Sequence, residues 1–213
     1  MSTRPSTAPR REPRARRSSA ETREHLLAVA QDLFYWEGIR ATGVDRVAAE
    51  AGVGPTTLYR LFASKDDLVA AYVERNDEGY RAWMTSATAP EVGDPHQRIL
   101  ALFDALLEQV RPEVCRGCPF LMALAEFPDP GSPAHRKAVA TKTWVRSRLH
   151  ELVGELHATT PVRDPEALAD QLALVLEGVY GSVQALTVAG PAAQARASAQ
   201  VLIDAALIEA ARS

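Results

Sequence analysis

The chain has 213 residues, of which 46% are hydrophobic and 24% charged, a composition that predicts a folded protein and excludes a disordered one. No stretch approaches the roughly 18 consecutive apolar residues of a membrane helix, and no apolar segment follows the Arg-rich N-terminus as in a secretory signal. Cys115 and Cys118 are too few for a disulfide framework or a four-cysteine zinc site. We therefore expect a cytoplasmic protein that needs neither cofactor nor metal.

The formal net charge of −3 is unevenly distributed along the chain. Met1 to Arg75 carry 12 Lys and Arg against 10 Asp and Glu, a net charge of +2, whereas the rest carries 12 against 17, a net charge of −5. The basic surplus therefore lies at the N-terminal end, where we expect a polyanionic partner to bind.

The N-terminal arm, residues 1–18, combines prolines with many arginines and has almost nothing apolar to bury, which predicts disorder. Its arginines are Arg4, Arg10, Arg11, Arg14, Arg16 and Arg17. They could enter a DNA minor groove or attract phosphates independently of sequence, and a merely solvated tail is the alternative.

Beyond the arm, apolar residues recur every three or four positions and no segment alternates like a strand, so the sequence predicts an all-α protein. The first helix is expected from about residue 20 to 36, with Gly38 ending it. Thr42 is the expected N-cap of a short second helix. Pro55 is expected in the first turn of a two-turn third helix, and Ser64 is the expected N-cap of a longer fourth one.

The C-terminal part of the sequence predicts five further helices. They are expected at about residues 96–111, 117–127, 134–157, 165–188 and 192–211. Asp164 and Pro165 form the expected start of the penultimate helix, while Gly190 and Pro191 are expected to close it and to open the last one.

Residues 44–62 have the order helix, glycine turn, helix, in which the second helix can lie in a DNA major groove. An ordinary helical hairpin is the alternative. The exposed side of the third helix is expected to offer hydroxyl, phenol and guanidinium groups to phosphates and base edges, from Thr56, Thr57, Tyr59 and Arg60. No acidic residue occurs between Val53 and Ser64, so no carboxylate would be repelled by the phosphates.

The stretch GIRATGVDRVAAEAGVGPTTLYRLFASKDDL, from Gly38 to Leu68, resembles the signature of the TetR family of transcriptional regulators. Its AGV turn, its TLY-x-x-F recognition helix and the following SK-x-x-L are all in register. The resemblance is strong over about residues 20–85 and extends further only in helical layout. It implies a helix-turn-helix DNA-binding domain at residues 19–65 and a helical effector-binding and dimerisation domain at residues 66–213.

Together with the exposed chemistry, the resemblance implies contacts to a double-stranded operator from the recognition helix and its flanks. The expected contacts are Thr42, Pro55, Thr56, Thr57, Tyr59, Arg60 and Lys65. Gly43 and Gly54 stand where the family also uses hydroxyl residues, which puts one phosphate contact in doubt. Each side chain has a structural alternative: Tyr59 as a packing residue, Lys65 as a solvated charge, and Thr57 bonded back to its own helix.

The last two helices carry more apolar surface than one thin monomer needs, which predicts a homodimer through them. Their apolar residues are Leu168, Leu172, Val175, Leu176, Val179, Val183, Leu186, Ala199, Leu202, Ile203, Ala206 and Leu207. Small residues such as Gly178 and Gly181 permit close helix approach, and in proteins resembling this family two such helices pair with their mates as a four-helix bundle. An ordinary intramolecular core is the alternative.

The resemblance also implies a small-molecule effector pocket in the C-terminal domain, for an aromatic or lipophilic ligand. Candidate lining residues are Trp83, Phe103, Phe120, Met122, Phe127, Trp144 and Tyr180, although aromatic residues at helical spacing are commonly core. The pair Cys115 and Cys118 precedes a helix start, where amide hydrogens and Arg116 would lower a thiol pKa and permit redox sensing. Two buried free thiols are the alternative.

These features predict a ligand-responsive repressor that binds a palindromic operator as a dimer and is released by a small molecule. Activation would use the same parts. The alternative function is a protein-interaction or redox-sensing helical module with a degenerate DNA head. Scattered histidines, together with the lack of a phosphate-binding glycine loop or a nucleophile elbow, argue against an enzyme.

Overall fold

The computed structural model describes residues 17–187 and 189–207, which form nine α-helices and no β-strand. The helices are α1 Ser19–Glu37, α2 Val44–Glu50, α3 Pro55–Leu61, α4 Lys65–Ala87, α5 Pro95–Gln109, α6 Pro119–Glu126, α7 Pro133–Thr159, α8 Pro165–Leu186 and α9 Ala195–Ala206. The predicted all-α class is confirmed. Of the predicted disordered arm, residues 1–18, only Arg17 and Ser18 lie within the described residues, and Ser18 is ordered as the N-cap of α1, where its hydroxyl accepts from the Glu21 amide. The end of the last predicted helix, residues 208–211, lies outside the described residues.

Side chains cap several helices where the sequence predicts a helix start. Ser64 accepts a hydrogen bond from the Asp67 amide (3.1 Å), and Asp164 accepts one from the Ala167 amide (3.0 Å). These carboxylate and hydroxyl oxygens satisfy amide hydrogens that have no partner within the first helical turn. The predicted starts of α4 and α8 are therefore confirmed.

The predicted capping role of Thr42 is wrong. The N-cap of α2 is Gly43, which has no side chain to offer, whereas the Thr42 hydroxyl donates to the Gly38 carbonyl at 2.8 Å. Gly38 ends α1 with φ +101, a conformation that favours glycine, and the chain then makes one more turn back to this carbonyl. Because Thr42 closes that turn, its side chain is only 2% exposed.

The junction between the last two helices also differs from expectation. α8 ends at Leu186, and Pro191 opens a 3-10 turn, Pro191–Gln194, rather than α9 itself. The amide of Ala193 bonds to the Gly190 carbonyl three residues back (3.1 Å), so the chain is wound too tightly here for an α-helix. α9 consequently begins only at Ala195.

Helices α1–α3, which we call the head, share a core with α4–α9, which we call the body. Phe34 of α1 meets Tyr72 of α4 edge to face, with ring centroids 5.5 Å apart, and both side chains are fully buried. In the body, α7 packs against α4, α5, α6 and α8, while α9 lies on α5 and α8. The head is thus held against the body by apolar packing along α1 and α4.

Polar contacts from both ends of α6 add to this packing, and we call them the clamp. Beyond the C-terminal end of α1, the Glu126 carboxylate accepts the amide hydrogens of Ile39 (3.0 Å) and Arg40 (2.6 Å). Before the N-terminal end of α6, the Tyr35 hydroxyl accepts from the Arg116 amide (2.6 Å) and donates to the Gly117 carbonyl (2.9 Å). The short helix α6 therefore fixes the position of the head at two points.

Within the described residues, no helix combines the length and apolar character needed to cross a membrane. In the same part of the chain, no three His, Cys, Asp or Glu side chains lie together as metal ligands would.

Replacing Glu126 by Ala is expected to loosen one side of the clamp. A hydrogen bond to a charged partner contributes about 1.5–3 kcal/mol, so the amides of Ile39 and Arg40 should exchange with solvent about tenfold faster or more. Hydrogen exchange read by NMR or mass spectrometry measures this. Glu113→Ala, at an exposed residue of the loop before α6, is the matched control. Equal exchange in both variants would contradict the proposed restraint.

Candidate nucleic-acid interface and ligand cavity

Helix α3 divides into a buried and an exposed side. Leu58 is buried and Phe62, just beyond the helix, packs with it into the head core. On the other side Tyr59 is 50% exposed, Pro55, Thr56 and Arg60 are exposed, and Thr57 is half-buried. The structure thus brings the five predicted recognition-helix residues to one surface, which we call the α3 face.

Two arginines of the head, Arg46 and Arg60, differ in whether carboxylates already match their charge. Arg46 of α2 lies near two carboxylates, those of Glu37 (3.3 Å) and Glu50 (3.8 Å). Arg60 takes part in none of the ion pairs found within residues 17–187 and 189–207. Its guanidinium is therefore available to a phosphate.

Lys65 and Thr42, the two predicted contacts outside α3, are both held by the protein. The Lys65 ammonium donates to the Arg40 carbonyl (3.2 Å), which ties the start of α4 to the turn after α1. Lys65 remains half-exposed at the border of the α3 face, whereas Thr42 is buried. Thr42 therefore does not belong to the α3 face.

The seven predicted ligand-lining residues do not surround one common space. Phe103, Phe120 and Tyr180 are buried, and Trp83, Met122, Phe127 and Trp144 are half-buried. Several meet around Tyr80, whose ring lies 5.0 Å from Trp83, 5.7 Å from Phe120 and 6.4 Å from Tyr180. The aromatic cluster is largely core, which is the alternative that the sequence left open.

A cavity of about 270 Å³ lies at the boundary between head and body, next to the clamp. Tyr180 is the one predicted ligand residue that lines it, and Cys115 lines it as well. The lining residues are Gln31, Asp32, Tyr35, Trp36, Asn76, Gln109, Val114, Cys115, Gly117, Pro119 and Tyr180. They come from the last two turns of α1, from α4, α5 and α8, from the loop that leads into α6 and from the first residue of α6. We call this space the junction cavity.

Sequence reasoning missed most of these residues because they meet only in the fold. The one available signal was Tyr35 followed by Trp36, two aromatic residues that lie outside the buried stripe of α1. Their rings stand nearly at right angles, with centroids 5.1 Å apart. Tyr180 adds a third ring, and its hydroxyl donates to the Gln109 side chain at 2.6 Å.

The loop before α6 requires glycine at position 117. Gly117 has φ +138, which is strained for any residue with a side chain, and a Cβ there would meet the side chain of Gln184. This conformation lets both the amide and the carbonyl of Gly117 reach the Tyr35 hydroxyl. Burial also raises the pKa of Tyr35, so the phenol keeps the proton with which it donates.

The surroundings of the two thiols differ from expectation. Arg116 does not face them, because its guanidinium donates to the carbonyls of Tyr35 (2.8 Å) and Trp36 (2.9 Å). Cys118 is 1% exposed, and burial raises its pKa although Lys142 acts in the opposite direction. The expected lowering of a thiol pKa by Arg116 and the helix start is therefore wrong for Cys118.

An apolar strip remains exposed on α8 and α9. Half of the apolar residues predicted for dimerisation, such as Leu172, Leu176 and Ile203, are buried within the protomer. In contrast, Leu174 of α8 is 72% exposed and Val201 of α9 is 65% exposed. Leu186, Gly178 and Gly181 are also exposed, and nothing lies within 4 Å of an added Cβ at either glycine. We call this surface the α8–α9 strip.

Comparisons with known proteins agree with this architecture. Residues 26–72 match the family model of bacterial regulatory proteins, tetR family, and residues 95–199 match that of a tetracyclin repressor-like C-terminal domain. The chain is 31% identical over 156 residues to the HTH-type transcriptional regulator YjdC of Escherichia coli (strain K12), which covers 73% of this chain and 80% of YjdC.

Two further proteins illustrate the range of similarity. The HTH-type transcriptional repressor NemR of Escherichia coli (strain K12) is 32% identical over 89 residues, 42% of this chain and 45% of NemR. The crystal structure of a TetR-family transcriptional regulator from Streptomyces coelicolor matches with a TM-score of 0.81 at 31% identity, covering 88% of this chain and 96% of that one. The chain therefore belongs to the TetR family of DNA-binding transcriptional regulators.

Proposed function

We propose that this protein is a ligand-responsive repressor that binds a palindromic operator as a homodimer and leaves it when a small molecule binds. The observation that carries the proposal is the α3 face, an exposed surface rich in hydrogen-bond donors and free of carboxylates between Val53 and Ser64. The relative NemR is itself named a repressor. Because its proposed target is operator DNA, we propose that the protein acts in the cytoplasm, and we propose no catalytic role.

On the operator, α3 would lie in the major groove. Tyr59 and Arg60 would contact phosphates, and Pro55, Thr56 and Thr57 would face the bases. Lys65 would add charge at the border of this face, although its bond to the Arg40 carbonyl limits its reach. Thr42 is left out because it is buried. This division separates residues that set affinity from residues that set sequence preference.

The α8–α9 strip would pair with the same strip of a second copy. Exposed Leu174 and Val201 would then lose their contact with water, and the bare glycines of α8 would let the helices approach closely. A two-fold dimer presents two α3 faces, each of which can read half of a palindrome. Because α3 has only seven residues, the contacts of the second copy would supply the affinity that one copy lacks.

The junction cavity would connect ligand binding to the head. Tyr35 lines the cavity and also bonds to the loop before α6, so a ligand that moves this ring or this loop disturbs one point of the clamp. The head would then take another position relative to the body. A dimer with displaced heads no longer matches the operator spacing, so ligand and DNA compete through linked equilibria.

Activation of transcription would use the same parts and differ only in the position of the operator. Redox sensing receives less support, since Cys118 is buried with a raised pKa and Arg116 is turned toward α1. An interaction module with a degenerate head also receives little support, because the donors of the α3 face are exposed and Arg60 has no ion-pair partner within the described residues.

Replacing Tyr59 by Ala is expected to weaken binding to the intergenic DNA beside the gene for this protein by about tenfold to hundredfold, because each half-site loses a phosphate contact. Arg60→Ala should also flatten the dependence of log Kd on log salt concentration by about one per half-site. Fluorescence anisotropy over a salt series measures both quantities, with random duplex DNA as reference.

Arg136→Ala is the matched control for this experiment. It removes the same charge from an exposed position on α7, far along the chain from α3. If Arg136→Ala reduced affinity and salt dependence as much as Arg60→Ala, binding would depend on overall charge and not on the α3 face.

Introducing a carboxylate into the α8–α9 strip is expected to separate the dimer. Leu174→Asp combined with Val201→Asp would bury four like charges in the two-fold interface, which is strongly unfavourable. Light scattering should then report a protein of half the mass with unchanged helical content. Val139→Asp, at an exposed apolar residue of α7, should remain dimeric. A double variant that stays dimeric would exclude this strip as the interface.

A further inference from the structure

We propose that the junction cavity binds a small organic cation that carries an aromatic ring. This inference rests on the proposed function, because it names the chemical class of the effector. Two properties of the cavity support it: its single charged residue and its aromatic walls.

The single charged side chain that lines the cavity is Asp32 of α1. Its carboxylate takes part in none of the ion pairs found among the described residues. The next acidic residue of the helix, Glu37, is already matched by Arg46. Asp32 therefore offers an unmatched negative charge at the cavity, which would repel an anionic ligand and attract a cationic one.

Aromatic rings form much of the remaining wall. Tyr35 and Trp36 stand almost perpendicular, with an interplanar angle of 78°, and Tyr180 contributes a third ring from α8. The faces of such rings carry partial negative charge and attract cations within about 6 Å. Rings combined with one carboxylate form a surface that favours an organic cation over a neutral molecule of the same shape.

The cavity also limits the size and polarity of the ligand. Its volume of about 270 Å³ lies near the lower end of the range for small-molecule sites and suits a ligand with one or two rings. The amides of Gln31, Asn76 and Gln109 offer hydrogen bonds along its wall. The amide of Asn76 already donates to the Tyr72 carbonyl (2.8 Å), which leaves its oxygen to accept from a ligand N–H.

Calorimetry with benzyltrimethylammonium as the probe tests the assignment, alongside anionic phenylmethanesulfonate and neutral N,N-dimethylbenzamide, which have similar sizes. We expect the cation to bind at least about tenfold more tightly than either of the others. Asp32→Asn should weaken binding of the cation by about threefold to tenfold and leave the neutral probe unchanged. Trp36→Leu should weaken the cation more than the neutral probe.

Glu37→Gln is the matched control, since it removes the same charge from the same helix outside the cavity. Equal binding of the three probes, or equal losses in Asp32→Asn and Glu37→Gln, would overturn the assignment. Operator binding of the unliganded protein is measured on the same samples. A protein that binds its operator but shows no preference for the cation refutes the ligand class alone, whereas a folded dimer that does not bind DNA refutes the proposed function.

Discussion

The hydrogen bonds at the two ends of α6 decide where the head lies relative to the body. At one end the Glu126 carboxylate accepts the amides of Ile39 and Arg40, and at the other Tyr35 bonds to the backbone of Arg116 and Gly117. Apolar packing between α1 and α4 supplies most of the stabilisation, but it is not directional. The polar contacts have fixed geometry, so they select one orientation among those that the packing permits.

This orientation matters because α3 is short. A recognition helix of seven residues makes few contacts, and a dimer doubles them only if both copies meet the grooves at the correct separation. The α8–α9 strip would set the two-fold axis, and α6 would set the angle of each head. The junction cavity is lined by residues of both α6 and α8. A small ligand in the junction cavity could therefore change operator affinity without touching DNA.

The parts of the fold that depend on local sequence could be predicted, and those that depend on distant contacts could not. Ser64 and Asp164 identify the starts of α4 and α8, because a cap bonds to an amide three residues away. Helical spacing alone predicts that Leu58 lies on the buried side of α3 and Tyr59 on its exposed side. The sequence does not show that the Thr42 hydroxyl bonds backward to the Gly38 carbonyl, because the geometry of the turn after α1 determines this bond.

The junction cavity shows the same limit more strongly. Tyr35 and Gly117 are 82 positions apart in the chain, and no spacing rule connects them. Aromatic character alone does not identify the residues that line a cavity, because an aromatic ring in a helical body more readily fills the core. Phe103 and Phe120 are examples of rings that fill the core. Arg116 was expected beside the thiols because of its position in sequence, whereas the loop turns it toward the carbonyls of α1.

In the proposed repressor, a two-fold dimer holds two α3 helices one DNA turn apart. Spin labels at Ala63, the exposed residue just beyond α3, measure this separation in a variant with Cys115 and Cys118 replaced by Ser and Ala. On operator DNA we expect one narrow distance distribution at about 35 Å, and a ligand that releases the DNA should shift or broaden it. A broad distribution on DNA, or one centred far from a helical turn, would contradict it.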